Sequence, residues 1–274
     1  MTLRASPVLR QILWRAGRKM YTYARGEGAN NPRTNGEYWL LQHALQSSTG
    51  PQVLLDVGAN RGDWTAEALR VAEPAGHVHV YAFEPASGTR TMLASRFSGN
   101  AAVDIQPFAL SDAPRDAIFY SLGAGAGTNS LSSSSGPHTE PARVTTIDAF
   151  LEQSGIGTVL MAKIDTEGFD LLVMKGAQRA LREGRIGIIQ FEYNSRWLLN
   201  HACLRDVFDL IADTPYRLGK LVGHSFELFD RWHAELDRFF ETNYVLVRED
   251  SPVCALGHAA EFDQSNVGIV RTAE

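Results

Sequence analysis

Short unbroken apolar runs alternate along this chain with stretches whose apolar residues recur at helical spacing. The runs at 53–57, 78–83, 159–164 and 186–191 read as strands buried on both faces, and 103–105 as a shorter one. Between them, 63–71 and 87–97 read as helices. In 168–182, Phe169, Leu172, Val173, Ala177, Ala180 and Leu181 share one face, and Gly184 follows as a cap, so a single helix is predicted there. The stretch 37–46 is a helix with Tyr38, Leu41 and Leu45 inward, stopped by Thr49-Gly50-Pro51. A helix at 204–211 and late strands at 216–222 and 244–247 complete the pattern. This rhythm predicts an α/β fold, a doubly wound and mostly parallel sheet with helices on both faces.

Two segments break the rhythm. Residues 121–136 hold six Ser and four Gly between strand-like 117–120 and 143–146. Such a stretch is a solvated hairpin tip or a loop covering substrate. At the other end, Val8, Leu9, Ile12, Leu13 and Ala16 fall on one face of a helix. The expected arrangement packs that face on the domain and turns the arginines to water. Contact of this head with anionic lipid or another protein is the alternative.

Composition sharpens this picture in one respect. The 274 residues carry 26 basic and 31 acidic side chains. Six of the basic ones (Arg4, Arg10, Arg15, Arg18, Lys19, Arg25) stand in the first 26 positions, where there is no acid. The remainder is left with 20 basic against 31 acidic residues, which argues against nucleic acid as the main partner. No apolar run approaches the ~20 residues of a membrane span, and no secretory signal is expected. Cys203 and Cys254, without a partner at metal spacing, fit a cytoplasmic protein.

The chemistry clusters at strand ends. Asp56-Val57-Gly58-Ala59-Asn60-Arg61-Gly62 follows the first buried strand. A dinucleotide fingerprint would place a second glycine at Asn60, and an acid such as Asp56 is a poor neighbour for a pyrophosphate. The sulfonium and ammonium of S-adenosylmethionine suit it better. Glu84 ends the second strand 22 residues after Gly62, near the ~20-residue spacing of an acid that accepts ribose hydroxyls. Lys163-Ile164-Asp165-Thr166-Glu167-Gly168 ends the fourth strand and Phe191-Glu192-Tyr193 the fifth, so Asp165 and Glu192 are expected side by side in the same crevice. Asp165 or Glu167 as a mere helix cap is the competing reading.

Together with Asn35-Gly36-Glu37, Ala109-Leu110-Ser111-Asp112, Thr146-Ile147-Asp148, Gly176-Ala177 and Asn243-Tyr244, these pieces resemble the FkbM family of class I S-adenosylmethionine-dependent methyltransferases over about residues 35–248. The resemblance implies a Rossmann-like seven-stranded sheet whose last strand is antiparallel. It implies O-methylation of a hydroxyl on a sugar, glycan or glycosylated natural product. Carried over, Asp56, Gly58, Asn60, Gly62 and Glu84 hold the cofactor, and Ser111 and Asp112 lie where adenine is expected. The expected organisation is a basic N-terminal helical extension (1–34), a methyltransferase domain (35–250) and a C-terminal tail (251–274).

An alcohol is a poor nucleophile at neutral pH, so Asp165 and Glu192 are the candidate bases, or ligands of a hard cation such as Mg2+ that would acidify the hydroxyl. His201 and His224 are the alternative bases. A nicotinamide-dependent oxidoreductase and a non-catalytic methyltransferase-like scaffold are the competing functions. Missing Gly-x-Gly-x-x-Gly speaks against the first, intact Asp56, Glu84 and Asp165 against the second.

Overall fold

The structure, a computed structural model, describes residues 6–27, 30–73, 78–127 and 129–271. The chain opens with α1 (Pro7–Ala24) and α2 (Glu37–Gln46). It then alternates through β1 (Gln52–Val57), α3 (Asp63–Ala72), β2 (Val78–Phe83), α4 (Ser87–Arg96) and β3 (Val103–Gln106). Three strands form a small separate sheet: β4 (Phe108–Leu110), β5 (Arg115–Ser121) and β6 (His138–Thr145). The main sheet resumes after α5 (Ile147–Gln153) with β7 (Val159–Ile164), α6 (Asp170–Lys175), α7 (Gln178–Arg182), β8 (Ile186–Tyr193), α8 (Leu204–Ile211) and β9 (Tyr216–Leu221). The last elements are β10 (Phe226–Phe229), β11 (Thr242–Arg248), β12 (Gly257–Phe262) and β13 (Gly268–Val270).

The strand order is β13-β12-β10-β9-β11-β8-β7-β1-β2-β3. From β3 to β8 every pairing is parallel, and β11 inserts antiparallel between β8 and β9. These seven strands match the sheet the resemblance implies. The count is corrected to ten, because β10, β12 and β13 extend the β9 edge. The chain leaves β1 toward β2 and β3, then returns to the other side of β1 as β7. The switch point lies between β1 and β7, where a crevice opens beyond the strand ends.

Alternation of side chains divides the core into two layers. Leu54, Met161, Ile188 and Val245 pack under Leu40, Leu41 and Trp64 of α2 and α3. Leu55, Ala162, Ile189, Phe191 and Tyr244 pack under α5 to α8. The predicted helix 168–182 is two short helices instead. A Cβ on Gly176 would sit 2.1 Å from the Ser111 carbonyl oxygen, so the chain passes too close to β4 for a continuous helix. Asp148 then restarts it, its carboxylate accepting the Arg179 and Ala180 amides at 2.8 and 2.9 Å.

The basic head is a helix, but its orientation reverses the expected one. α1 buries none of its residues, and its apolar side chains face water. Arg4 lies outside the described residues. No described helix is long and apolar enough to cross a membrane.

Candidate active site

The turn after β1 is laced to both neighbouring strands. The amides of Gly58 and Ala59 both donate to the Phe83 carbonyl at 3.1 and 3.0 Å, and the Asp165 amide donates to Val57 at 3.0 Å. Gly58 sits at φ +82°, and a Cβ there would lie 2.0 Å from the Asp165 carbonyl oxygen. Glycine is therefore demanded by the main chain of β7's end as well as by the left-handed turn. Asn60 takes a left-handed conformation too, at φ +48°.

Glu84 closes this turn from the β2 side. One carboxylate oxygen accepts the Asn60 amide at 3.0 Å and the other the Ala86 amide at 2.9 Å. Burial pushes its pKa up to about 7, although both amides pull the other way. Its charge therefore changes close to neutral pH.

A band of polar groups crosses the sheet beneath α2 and α3. Asp56 is fully buried and accepts the Thr65 hydroxyl at 2.6 Å. Next to it in register, Lys163 reaches Asp165 at 3.0 Å. Burial works against the Lys163 charge, but Asp165, Asp56 and Glu37 outweigh it and raise the pKa. Glu37, at the start of α2, accepts Asn35 at 2.6 Å and Asn243 at 3.2 Å. This accounts for the Asn-Gly-Glu and Asn-Tyr pieces of the sequence: they tie α2 to β11.

Asn243 pairs across to Glu192 on β8. Burial, then the charges of Asp165 and Asp170, push the Glu192 carboxyl up to about 9, and Asn194 donates to it at 2.9 Å. Asp170 behaves alike: burial, then Asp165, push it up to about 7, and it accepts the Gly168 amide at 3.2 Å. Near neutrality Glu192 therefore holds its proton beside Asp165.

A cleft enclosing about 920 Å³, open water included, lies at the switch point. Gly58, Asn60, Glu84 and Asp165 line it together, with Asp63, Lys163, Thr166 and Glu167. Its apolar wall is Ala109 and Leu110 of β4, Phe119 of β5 and Phe169. The Ser/Gly segment covers it: Ala126, Gly127, Asn129, Ser130 and Leu131 are part of the lining. That segment is anchored rather than dangling. Gly125 donates to the Thr89 hydroxyl at 2.9 Å, and Ser130 exchanges backbone hydrogen bonds with Tyr120 at 2.9 and 3.1 Å.

The other expected residues stand outside that lining. Asp56 lies beneath the turn against Thr65, and Gly62 lets α3 start against Leu93 of α4 and Phe97 just after it. Ser111 and Asp112 follow the cleft-lining Leu110; the Ser111 hydroxyl donates to Asp112 at 2.9 Å and Arg115 binds both side chains. Glu192 lies one strand beyond Asp165. His201 and His224 are exposed and do not line the cleft. Glu167 pairs with Arg196. Lys163 and Phe119 have no role assigned from sequence, and of the two only Lys163 carries a signal, an isolated cation inside an otherwise apolar strand; the Ser/Gly stretch takes the covering position, one of its two expected readings.

Among the described residues, no three His, Cys, Asp or Glu side chains come together to hold a metal ion. Nothing in this donor set supports the Mg2+ considered for Asp165 and Glu192, where the nearest cation to Asp165 is the Lys163 ammonium.

The profile of the Methyltransferase FkbM domain family matches residues 56–245. No curated protein matches the chain. Among solved structures, methyltransferase FkbM from Methylobacillus flagellatus KT is 16% identical, with 86% of this chain and 60% of that chain covered and a TM-score of 0.47. The present chain thus spans less than two thirds of that protein. Precorrin-6y C5,15-methyltransferase from Geobacter metallireducens GS-15 is 12% identical over 77% of this chain and 86% of that one, with a TM-score of 0.39. A SAM-dependent methyltransferase from Agrobacterium tumefaciens is 10% identical over 77% and 60%, with a TM-score of 0.42. The family profile spans well over half of the sequence and the turn that builds the cleft, and the chain belongs to the FkbM family of methyltransferases.

Proposed function

We propose that the enzyme transfers the methyl group of S-adenosylmethionine to a hydroxyl of a sugar, a glycan or a glycosylated natural product. The observation that carries this reading is the convergence of Asn60, Glu84 and Asp165 on one cleft. The donor set fits the cofactor. Asp63, Glu84, Asp165 and Glu167 line the cleft with acceptor oxygens, and its lining cation, Lys163, is already paired with Asp165, a set that suits hydroxyl and ammonium donors better than a pyrophosphate and disfavours a nicotinamide cofactor. Two side-chain oxygens in the lining, Asn60 Oδ1 and Thr166 Oγ1, are buried without a hydrogen-bond partner and stand ready for one.

S-adenosylmethionine supplies an electrophilic methyl on a sulfonium. The chain's own part is to bind, orient and deprotonate. Glu84 accepts the ribose hydroxyls with the lone pairs its two amide contacts leave free. The apolar wall of Leu110 and Phe119 takes the adenine. Asp165, steadied by the Lys163 ammonium, accepts the proton of the acceptor hydroxyl at its carboxylate. Glu192 holds its own proton and acts as a neutral neighbour that limits repulsion around Asp165. Ala126, Gly127, Asn129, Ser130 and Leu131 keep water from the cleft.

The acidic remainder of the chain supports a small or glycan acceptor rather than nucleic acid. The unpaired Cys203 and Cys254 support a cytoplasmic location. The transferase is assigned to residues 35–250, with 1–34 outside its chemistry. Calorimetry with S-adenosylmethionine, followed by methyl-label transfer into a panel of glycans, tests the reading. Binding without transfer to any hydroxylated acceptor would favour the scaffold alternative.

A further inference from the structure

α1 is docked by the wrong face for a helix that belongs to a core. Its contacts with the body run through its polar side near the C-terminal end. Tyr21 donates its hydroxyl to Glu235 at 2.5 Å and stands edge-on to Phe240. Arg18 lies over the Phe240 ring, and Arg25 binds Glu235 and Glu27. At 100° per residue, Leu9, Ile12, Leu13, Ala16, Met20 and Tyr23 share the opposite arc. Leu13, Met20 and Tyr23 are 57%, 72% and 86% exposed.

The borders of this arc are basic. Arg15 and Lys19 flank it on one side and Arg10 on the other, and α1 holds no acidic residue. A second exposed apolar patch lies on the anchoring side of the helix. Val267, Ile269 and Val270, at the outer edge of the main sheet, are also exposed, and Val267 to Val270 share a surface cleft with Tyr21 and Ala24.

We propose that α1 docks on an anionic lipid surface through its apolar arc. The arc would enter the boundary between headgroups and acyl chains while Arg10, Arg15 and Lys19 meet the phosphates, with their stems lying along the apolar face. Charge complementarity selects this occupant. A second copy meeting the same face would bring two acid-free basic borders together, so like charges would oppose the dimer. The anchorage through Tyr21 and Arg25 holds the helix to the body, so docking orients the whole molecule.

The test is co-sedimentation of the full chain with vesicles of phosphatidylcholine alone or mixed with phosphatidylglycerol. The expected result is binding to the mixed vesicles only, weakened by salt. The pair Arg15→Glu and Lys19→Glu should lower partition by roughly tenfold or more, since each basic residue near such a surface contributes about 1 kcal/mol. Ile12→Glu with Leu13→Glu should abolish it. These positions bury nothing, so unchanged melting temperatures will certify the folds. Equal binding of the two vesicle types, or of the Ile12→Glu, Leu13→Glu chain and the parent, would overturn the proposal. So would a soluble dimer that ignores vesicles and that Leu13→Glu dissociates.

Discussion

Glu84 accepts the backbone amide of Asn60 at 3.0 Å, so the acid that ends β2 is fastened to the turn that follows β1. Its carboxyl titrates at about 7 because it is buried. A carboxylate accepts two ribose hydroxyls, whereas its protonated form must give up part of that capacity. Affinity for S-adenosylmethionine should therefore fall as pH drops through about 7. Glu84→Gln should weaken binding by about 1.5–3 kcal/mol and flatten this pH dependence. Calorimetry across neutral pH checks both. A Glu84→Gln chain with parental affinity would remove Glu84 from the cofactor site.

Asp165→Asn should reduce turnover by roughly 10²-fold or more, the scale of a lost general base, with cofactor affinity changed far less. Lys163→Met should act differently. It strands the buried Asp56 and the part-exposed Asp165 without their cation and should cost about 1–3 kcal/mol of stability, below the range for a fully buried pair because water screens Asp165. Adding Asp165→Asn to Lys163→Met should return part of that loss. Denaturant unfolding of the single and double variants measures the coupling.

Chelation should leave turnover unchanged, because Asp165 is already paired with the Lys163 ammonium at 3.0 Å. Loss of activity with a chelator, and its return on adding Mg2+, would show that the acceptor brings the missing ligands to Asp165.

Buried carboxyls set the pH dependence of stability. Asp170 binds its proton more tightly folded, at about 7, than at its ordinary value of 3.8. Its contribution is therefore complete in acid and fades as pH rises through about 7. Glu192, at about 9, extends the decline into alkali. Asp170→Asn keeps an acceptor for the Gly168 amide and deletes the buried charge. It should raise stability by a few kcal/mol at alkaline pH and by little in acid. Melting curves at acid and alkaline pH decide the point, and a uniform shift at both would refute the assignment.

Gly58→Ala should unfold the chain or cripple its stability, and the reason is the main chain. From the strand–turn–helix motif alone, this glycine reads as space reserved for a ligand. The structure puts the Asp165 carbonyl where the methyl would go. A folded, stable Gly58→Ala chain would contradict that contact.

The parallel half of the sheet was legible because each strand is a continuous apolar run, a pattern that water on either face would have broken. β10, β12 and β13 were not, since strands of three to six residues at an edge carry little periodicity. The break between α6 and α7 depends on Ser111, more than sixty positions away, and no local window holds both. The same holds for the cleft. Asn60, Glu84 and Asp165 announce themselves at strand ends and the Ser/Gly stretch by its composition, whereas Phe119 arrives through the small sheet. α1 is amphipathic, as its spacing predicts, but the face expected inward is the one in water. Amphipathicity gives a helix two sides without saying which one the body takes.

The contact between Gly58 and Asp165 has a geometric consequence. Two hydrogen-bonded strands, joined at Val57 and Asp165 and touching at Gly58, leave no gap that a side chain could widen or close. The span between the two sides of the cleft is thus fixed like the jaw of a set gauge. Acceptors of different size must be accommodated by the outer wall, where residues of the Ser/Gly segment such as Asn129, Ser130 and Leu131 can be exchanged without moving the gauge.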